Sequence, residues 1–316
     1  MSHAGRPAPA RPPVVESDSI QSSWISTAIQ PALERSTDGR VLNVFPSTAY
    51  LKNQSGDVLA LVSSEVGPGP LAVVLAVDRG FFERSLRPDE AVRFGDKEIR
   101  SGRLTIRLGG RPWPARPSWE AVRSPAVVKA GLPSLRQAVS RFAPPGSLAA
   151  LLNPTQAKET RFVDEIRRRS GPFLSALVRC ARQPGPPADG AVTHLESTAA
   201  GLAGLGAGFT PAGDDFLLGA IYSVWAWATE ASAGDLADVI AEAAAPRTTT
   251  VSGAYLRAGA AGAAGPGWHR LIAALAAGDQ AAMSSSVSRL CRIGHTSGAD
   301  ALTGYVLGLG VSLDGA

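Results

Sequence analysis

The hydrophobic period of this chain changes once, across the proline-broken stretch RPWPARPSW at residues 111–119, and that change limits what the chain can fold into. Before it, short β-rich runs follow one another from residue 38: RVLNVF, DVLALVSS, PLAVVLAV, AVRFGD and GRLTIRLGG. Turn-forming residues divide them, at Asn53-Gln54-Ser55-Gly56, Gly67-Pro68-Gly69-Pro70, Gly95-Asp96 and Gly109-Gly110. Leu104, Ile106 and Leu108 alternate with polar neighbours, as a half-buried strand requires. From about residue 130 the apolar residues recur at helical spacing, in LPSLRQAVSRFA, RFVDEIRRR, PFLSALVRCAR, VTHLESTAAGLAG, DLADVIAEAAA, WHRLIAALAAG and AAMSSSVSRLCRI. The pattern predicts an α+β protein: a β-rich domain over 38–125, built as a small antiparallel sheet or barrel, then a larger all-helical domain over 126–316. Residues 1–37 are expected to be a disordered tail and lead-in, protease-sensitive before about Gln21, because MSHAGRPAPARPP is rich in Pro and Ala and lacks a signal-peptide core. ARQPGPPADG (181–190) reads as a loop between helices, and RRRS (167–170) as the solvated end of one.

Composition excludes some classes of function. The net charge of +4 is carried by scattered arginines, which gives no nucleic-acid footprint. No run reaches the ~20 apolar residues of a membrane span. Cys180 and Cys291 stand far apart in apolar helical patterns, as reduced core residues do, so the expected location is the cytoplasm.

The chemistry concentrates in GLGAGFTPAGDDFLLGA (204–220). Gly206 and Gly208 serve either a tight turn or the main-chain N–H groups of an anion site. Thr210-Pro211 stops any preceding helix, and Gly213-Asp214-Asp215 opens a new one. One carboxylate suffices for a helix start, so one of the pair is expected to cap and the other, Asp215, to face a ligand. The pattern returns in GHTSGADALTGYVLGLG (294–310), where Asp300 precedes Gly304 by four residues as Asp215 precedes Gly219. Two glycines at one offset predict two closely packed helices with their Asp-bearing ends converging on one polar pocket. His295, Thr296 and Ser297 stand at the second loop. A third segment, RTTTVSGAYLRAG, offers Arg247 and Thr248 either at a helix cap or in an oxyanion pocket.

These motifs resemble a known family. GLGAGFTPAGDDFLLGA and GHTSGADALTGYVLGL look like the signature and closing motif of the domain of unknown function 2877 family, and VLNVFPSTAYLKNQSGDVLALVSSEVGPGPLAVVL is similar to its opening β segment. Phe209 stands where that family usually has Leu. The resemblance spans roughly residues 38–312 and includes the third subunit of oxamate carbamoyltransferase. It implies a subunit of a hetero-oligomeric transferase, one partner of which resembles acyl-CoA synthetases. The reaction implied joins oxamate and carbamoyl phosphate to give oxalurate and phosphate, in either direction. On that reading Asp214, Asp215, His295 and Asp300 are the candidate catalytic residues. Gly206, Gly208, Thr210, Gly213, Arg247, Thr248, Thr296 and Ser297 are the candidates for holding a small anionic substrate. The residues single out no definite cofactor; magnesium is the candidate ion, and it would fall to Asp215 and Asp300. Two other readings fit the same residues: a scaffold subunit whose glycine-rich helices only pack, and a metal-dependent hydrolase with Asp and Thr at helix starts.

Overall fold

The computed structural model describes residues 18–153, 160–181 and 189–313. The expectations for residues 1–17 of the tail and for most of the 181–190 loop lie outside the described residues.

Nine strands form the N-terminal part: β1 (Asp18–Ser26), β2 (Thr37–Phe45), β3 (Thr48–Asn53), β4 (Val58–Ser63), β5 (Ala72–Leu75), β6 (Ala91–Phe94), β7 (Glu98–Ser101), β8 (Leu104–Arg107) and β9 (Arg111–Trp113). Short helices α1 (Gln30–Leu33) and α2 (Phe81–Ser85) occupy two of the connections. The order β5-β4-β3-β2-β6-β7-β8-β1 closes on itself, because β1 pairs with β8 through Asp18–Gln21 and with β5 through Ser22, Trp24 and Ile25. The result is a barrel whose last free hydrogen-bonding groups are used on its first strand. The expected small sheet or barrel is therefore present. Two features depart from the expectation. Residues 18–26, assigned to the lead-in, are the closing strand, because their polar DSIQSSWIS pattern is held by partners rather than by its own apolar content. The pairing is also mixed: β1 runs parallel to β8 and β9, and β4 parallel to β5.

The C-terminal part contains α3 (Pro125–Phe142), α4 (Arg161–Ala181), α5 (Asp189–Leu202), α6 (Ala212–Trp227), α7 (Glu230–Ala244), α8 (Thr250–Ala260), α9 (Pro266–Ala277), α10 (Gln280–Leu290) and α11 (Ser297–Leu313). RRRS ends no helix. α4 runs on through Pro172, since Val163, Ile166, Phe173, Leu174 and Leu177 form one buried stripe across it. Pro172 removes one hydrogen bond, and the packing of that stripe outweighs it. Arg168 and Arg169 fold back onto Glu165, and Arg169 also donates to the Gly201 carbonyl at 2.6 Å.

α6 and α11 are the centre of the helical part and are buried over most of their circumference. Helices apolar on all sides belong inside a core. They touch through backbone. A Cβ at Gly219 would stand 1.7 Å from the Ala301 carbonyl oxygen, and one at Gly304 would stand 2.0 Å from that of Phe216. Equivalent positions are offset by the same 85 residues (216 with 301, 219 with 304), so the contact is reciprocal about a local twofold axis. The preceding turns repeat the arrangement. A Cβ at Gly213 would meet the Leu202 carbonyl oxygen at 2.2 Å, and one at Gly298 would meet that of Leu290 at 1.8 Å. The α5–α6 and α10–α11 hairpins are thus two copies of one packing unit.

The two parts meet along α8. Ala254, Tyr255 and Ala258 pack on the barrel core, and the Tyr255 hydroxyl lies 3.4 Å from that of Tyr50 on β3. This second covered face explains why β4 and β5 are buried at every residue. Among the described residues, no helix is long and apolar enough to cross a membrane.

Candidate active site

Asp215 and Asp300 occupy the same place in their helices, the fourth residue of α6 and of α11. The local twofold brings the two first turns together. Thr210, just before α6, shares a 2.9 Å hydrogen bond with Ser297, the first residue of α11. The two loops expected to converge are in contact through these hydroxyls.

The two adjacent aspartates have different surroundings, and neither is the cap of α6. Pro211 holds the N-cap position, with no side-chain cap bond. Asp214 Oδ1 accepts the Gly204 N–H at 2.8 Å, and Oδ2 accepts the Thr248 hydroxyl. This side chain ties the end of α5 and the approach to α8 onto the first turn of α6. Burial raises its pKa, opposed by the bonds from Thr248, Gly204 and Ser252. The expected division into one cap and one ligand-facing carboxylate fails on its first half, because both residues lie inside the first turn rather than ahead of it.

Asp215 is 8 % exposed, and its Oδ2 is buried without a hydrogen-bond partner. Burial pushes its carboxyl up to about 8. The hydroxyls of Ser297 and Thr210 oppose that shift, while the charges of Asp300 and Asp214 reinforce it. Asp300 is fully buried; its Oδ1 accepts the Leu148 N–H at 2.6 Å, and its Oδ2 has no partner. Burial raises its pKa to about 6, against the bonds from Leu148 and Thr296. Equivalent positions on the twofold thus carry unequal carboxyls. The Asp300 side is filled by the single helical turn Leu148–Leu152, and the Asp215 side opens to a cavity.

That cavity is a cleft of about 450 Å³ between barrel and helices. Its polar wall is Thr210, Asp214, Asp215, Ser252 and Ser297, and Tyr50, Phe209, Tyr222, Tyr255 and Trp268 form its aromatic wall. No Lys, Arg or His lines it among the described residues. α8 separates it from a wider groove of about 910 Å³, lined in part by Lys52, Arg116, Arg257, Thr248 and Thr250. Two of those cations are already engaged. Arg116 pairs with Glu230 at 2.8 Å and lies over the Trp225 ring, and Arg257 pairs with Glu242 at 2.8 Å.

The remaining candidates lie outside the cleft lining. Gly206 and Gly208 are exposed in left-handed backbone, φ +119° and +105°, and a Cβ at Gly206 would meet the Ala212 nitrogen at 2.8 Å. Gly206 therefore serves the turn into α6. Gly213 is buried against Leu202. Arg247 is exposed and lines a separate surface depression with Arg169 and Glu242. His295 is exposed, and Thr296 reaches Asp300 rather than the cleft. The aromatic wall was missed by sequence reasoning. Tyr50 and Tyr255 lie in a strand and a helix far apart in the chain, and only their pairing across the seam marks them. Among the described residues no three His, Cys, Asp or Glu side chains come together as a metal-binding set.

Comparison with protein-family models matches residues 202–309 to oxamate carbamoyltransferase subunit AllH and residues 19–113 to the AllH family N-terminal domain. The first match holds α6, α8 and most of α11, and the second holds the barrel from the second residue of β1 to the end of β9. No curated protein and no solved structure matches the chain.

Proposed function

The chain belongs to the AllH family of oxamate carbamoyltransferase subunits, and from that premise we propose that the cleft at the barrel–helix seam binds the amide end of the substrate, with Asp215 as its proton-transfer group. In the transfer, the amide nitrogen of oxamate forms a bond to the carbamoyl carbon of carbamoyl phosphate. The carbon–oxygen bond to phosphate breaks, and the nitrogen loses one proton. In the opposite direction, phosphate attacks the terminal ureido carbon of oxalurate, and the departing nitrogen regains that proton. One group that holds a proton near neutral pH serves both directions. The observation that carries this reading is the buried, unpartnered Oδ2 of Asp215 on the cleft wall, in a carboxyl pushed up to about 8. A neutral carboxyl in an apolar setting donates a hydrogen bond to a carbonyl, or a proton to a leaving nitrogen. Thr210 and Ser297 complete a polar strip suited to an uncharged amide or ureido group.

The test is turnover by the assembled enzyme carrying Asp215→Asn. A loss of about 10²-fold or more is expected, the usual contribution of a positioned acid–base group. Wild-type rates in that variant would remove Asp215 from the chemistry.

A further inference from the structure

We propose that the mouth of the cleft is the docking face for another subunit of the carbamoyltransferase, and that this subunit supplies a lysine or arginine which the cleft lacks. The inference rests on the reading of the cleft as a substrate site.

Three large apolar side chains are exposed among the described residues: Phe45, Val66 and Ile293, at 39 %, 52 % and 54 %. They come from the end of β2, the β4–β5 connection and the turn before α11, yet they gather at one opening. Val66 and Ile293 line the cleft directly. Phe45 meets Phe209 edge-on, with ring centroids 5.2 Å apart, and Phe209 lies 5.3 Å from Tyr50 on the cleft wall. Single exposed apolar residues need no explanation, but a cluster drawn from three segments around a cavity marks an interface.

Charge identifies the occupant. Oxamate carries a carboxylate, and the proposed donor carries a phosphate. The cleft presents Asp214 and Asp215 to them and no cation among the described residues. Among side chains, guanidinium and ammonium groups are the donors best suited to such anions. One set of cations, Lys52, Arg116 and Arg257, lines the groove on the other side of α8, and both arginines are paired. A surface that covered Phe45, Val66 and Ile293 would set its own side chains over the opening. It would also exclude water there, which strengthens attraction between its cation and a bound anion. The complementary partner is therefore a basic residue within an apolar surround on another subunit.

The experiment places a photoreactive benzoyl-phenylalanine at position 45, 66 or 293, with position 270 on α9 as the control, and co-expresses the chain with the other subunits of the enzyme. Cross-links from the three rim positions, and not from 270, to a lysine- or arginine-bearing peptide of another subunit are the expected result. Phe45→Glu with Ile293→Glu should weaken assembly at least tenfold, while the isolated variant melts as wild type does. Cross-links to a second copy of this chain, no cross-links at the rim, or undiminished assembly of the double variant would each overturn the proposal. Asp215→Asn should assemble normally. If that variant also turns over normally while the rim variants fail to assemble, the docking face stands and the substrate reading falls. If the rim variants assemble and Asp215→Asn is inactive, the reverse holds.

Discussion

Folding adds a proton to Asp215. Its carboxyl titrates near 4 in an unfolded chain and near 8 in the folded one, and Asp300 shifts in the same direction to about 6. A raised carboxyl pKa means that the folded state binds more protons than the unfolded state between those values. Stability therefore falls as pH rises through that window. The loss is expected to be steepest between about pH 4 and 6, where both groups contribute, and to continue on Asp215 alone to about pH 8. Each group contributes at most about 1.4 kcal/mol per pH unit. Denaturant unfolding of the isolated chain across pH 5–8 measures this slope, and Asp215→Asn should flatten its upper half. Asp214 makes a contrasting prediction. Its carboxyl satisfies the Gly204 N–H and the Thr248 hydroxyl, so Asp214→Ala should cost about 1–3 kcal/mol in the same unfolding experiment. A variant as stable as wild type would show that those loops do not depend on it.

Between elements, the reciprocal contact of α6 and α11 allows no side chain at two positions. Gly219→Ala or Gly304→Ala would place a methyl group against backbone carbonyl oxygen that neither helix can withdraw without repacking the core. Each should cost about 3 kcal/mol or more, the upper end for overpacking. Gly171→Ala in α4 is the control, since nothing lies within 4 Å of a Cβ there. It should gain up to about 1 kcal/mol from helix propensity. Thermal melts of the three variants test the pair against the control. This contact was legible in the sequence as the matched Asp-to-Gly offset, because one periodic device appears twice within a helical pattern. The positions of Arg247 and His295 were not legible, since a loop residue's direction is set by what surrounds the loop. Nor was the continuity of α4 through Pro172, which depends on a buried stripe that the proline does not interrupt. β1 escaped for a similar reason: DSIQSSWIS has little apolar content of its own, and its partners come from β5, β8 and β9.

For the whole molecule, that strand is the closure of the barrel. Without Asp18–Ser26, β5 and β8 would both become open edges, and exposed edges recruit other chains. A chain beginning at Thr27 should form more soluble aggregate or insoluble material than the chain that keeps this strand, as light scattering of the two side by side would register. The same strand sets an order of events during synthesis. It leaves the ribosome before its partners at Ala72–Leu75, Leu104–Arg107 and Arg111–Trp113, which follow some 50 to 90 residues later. At about 5–20 residues per second the closing strand waits several seconds unpaired. In that interval the strand is accessible to chaperones and to other nascent chains.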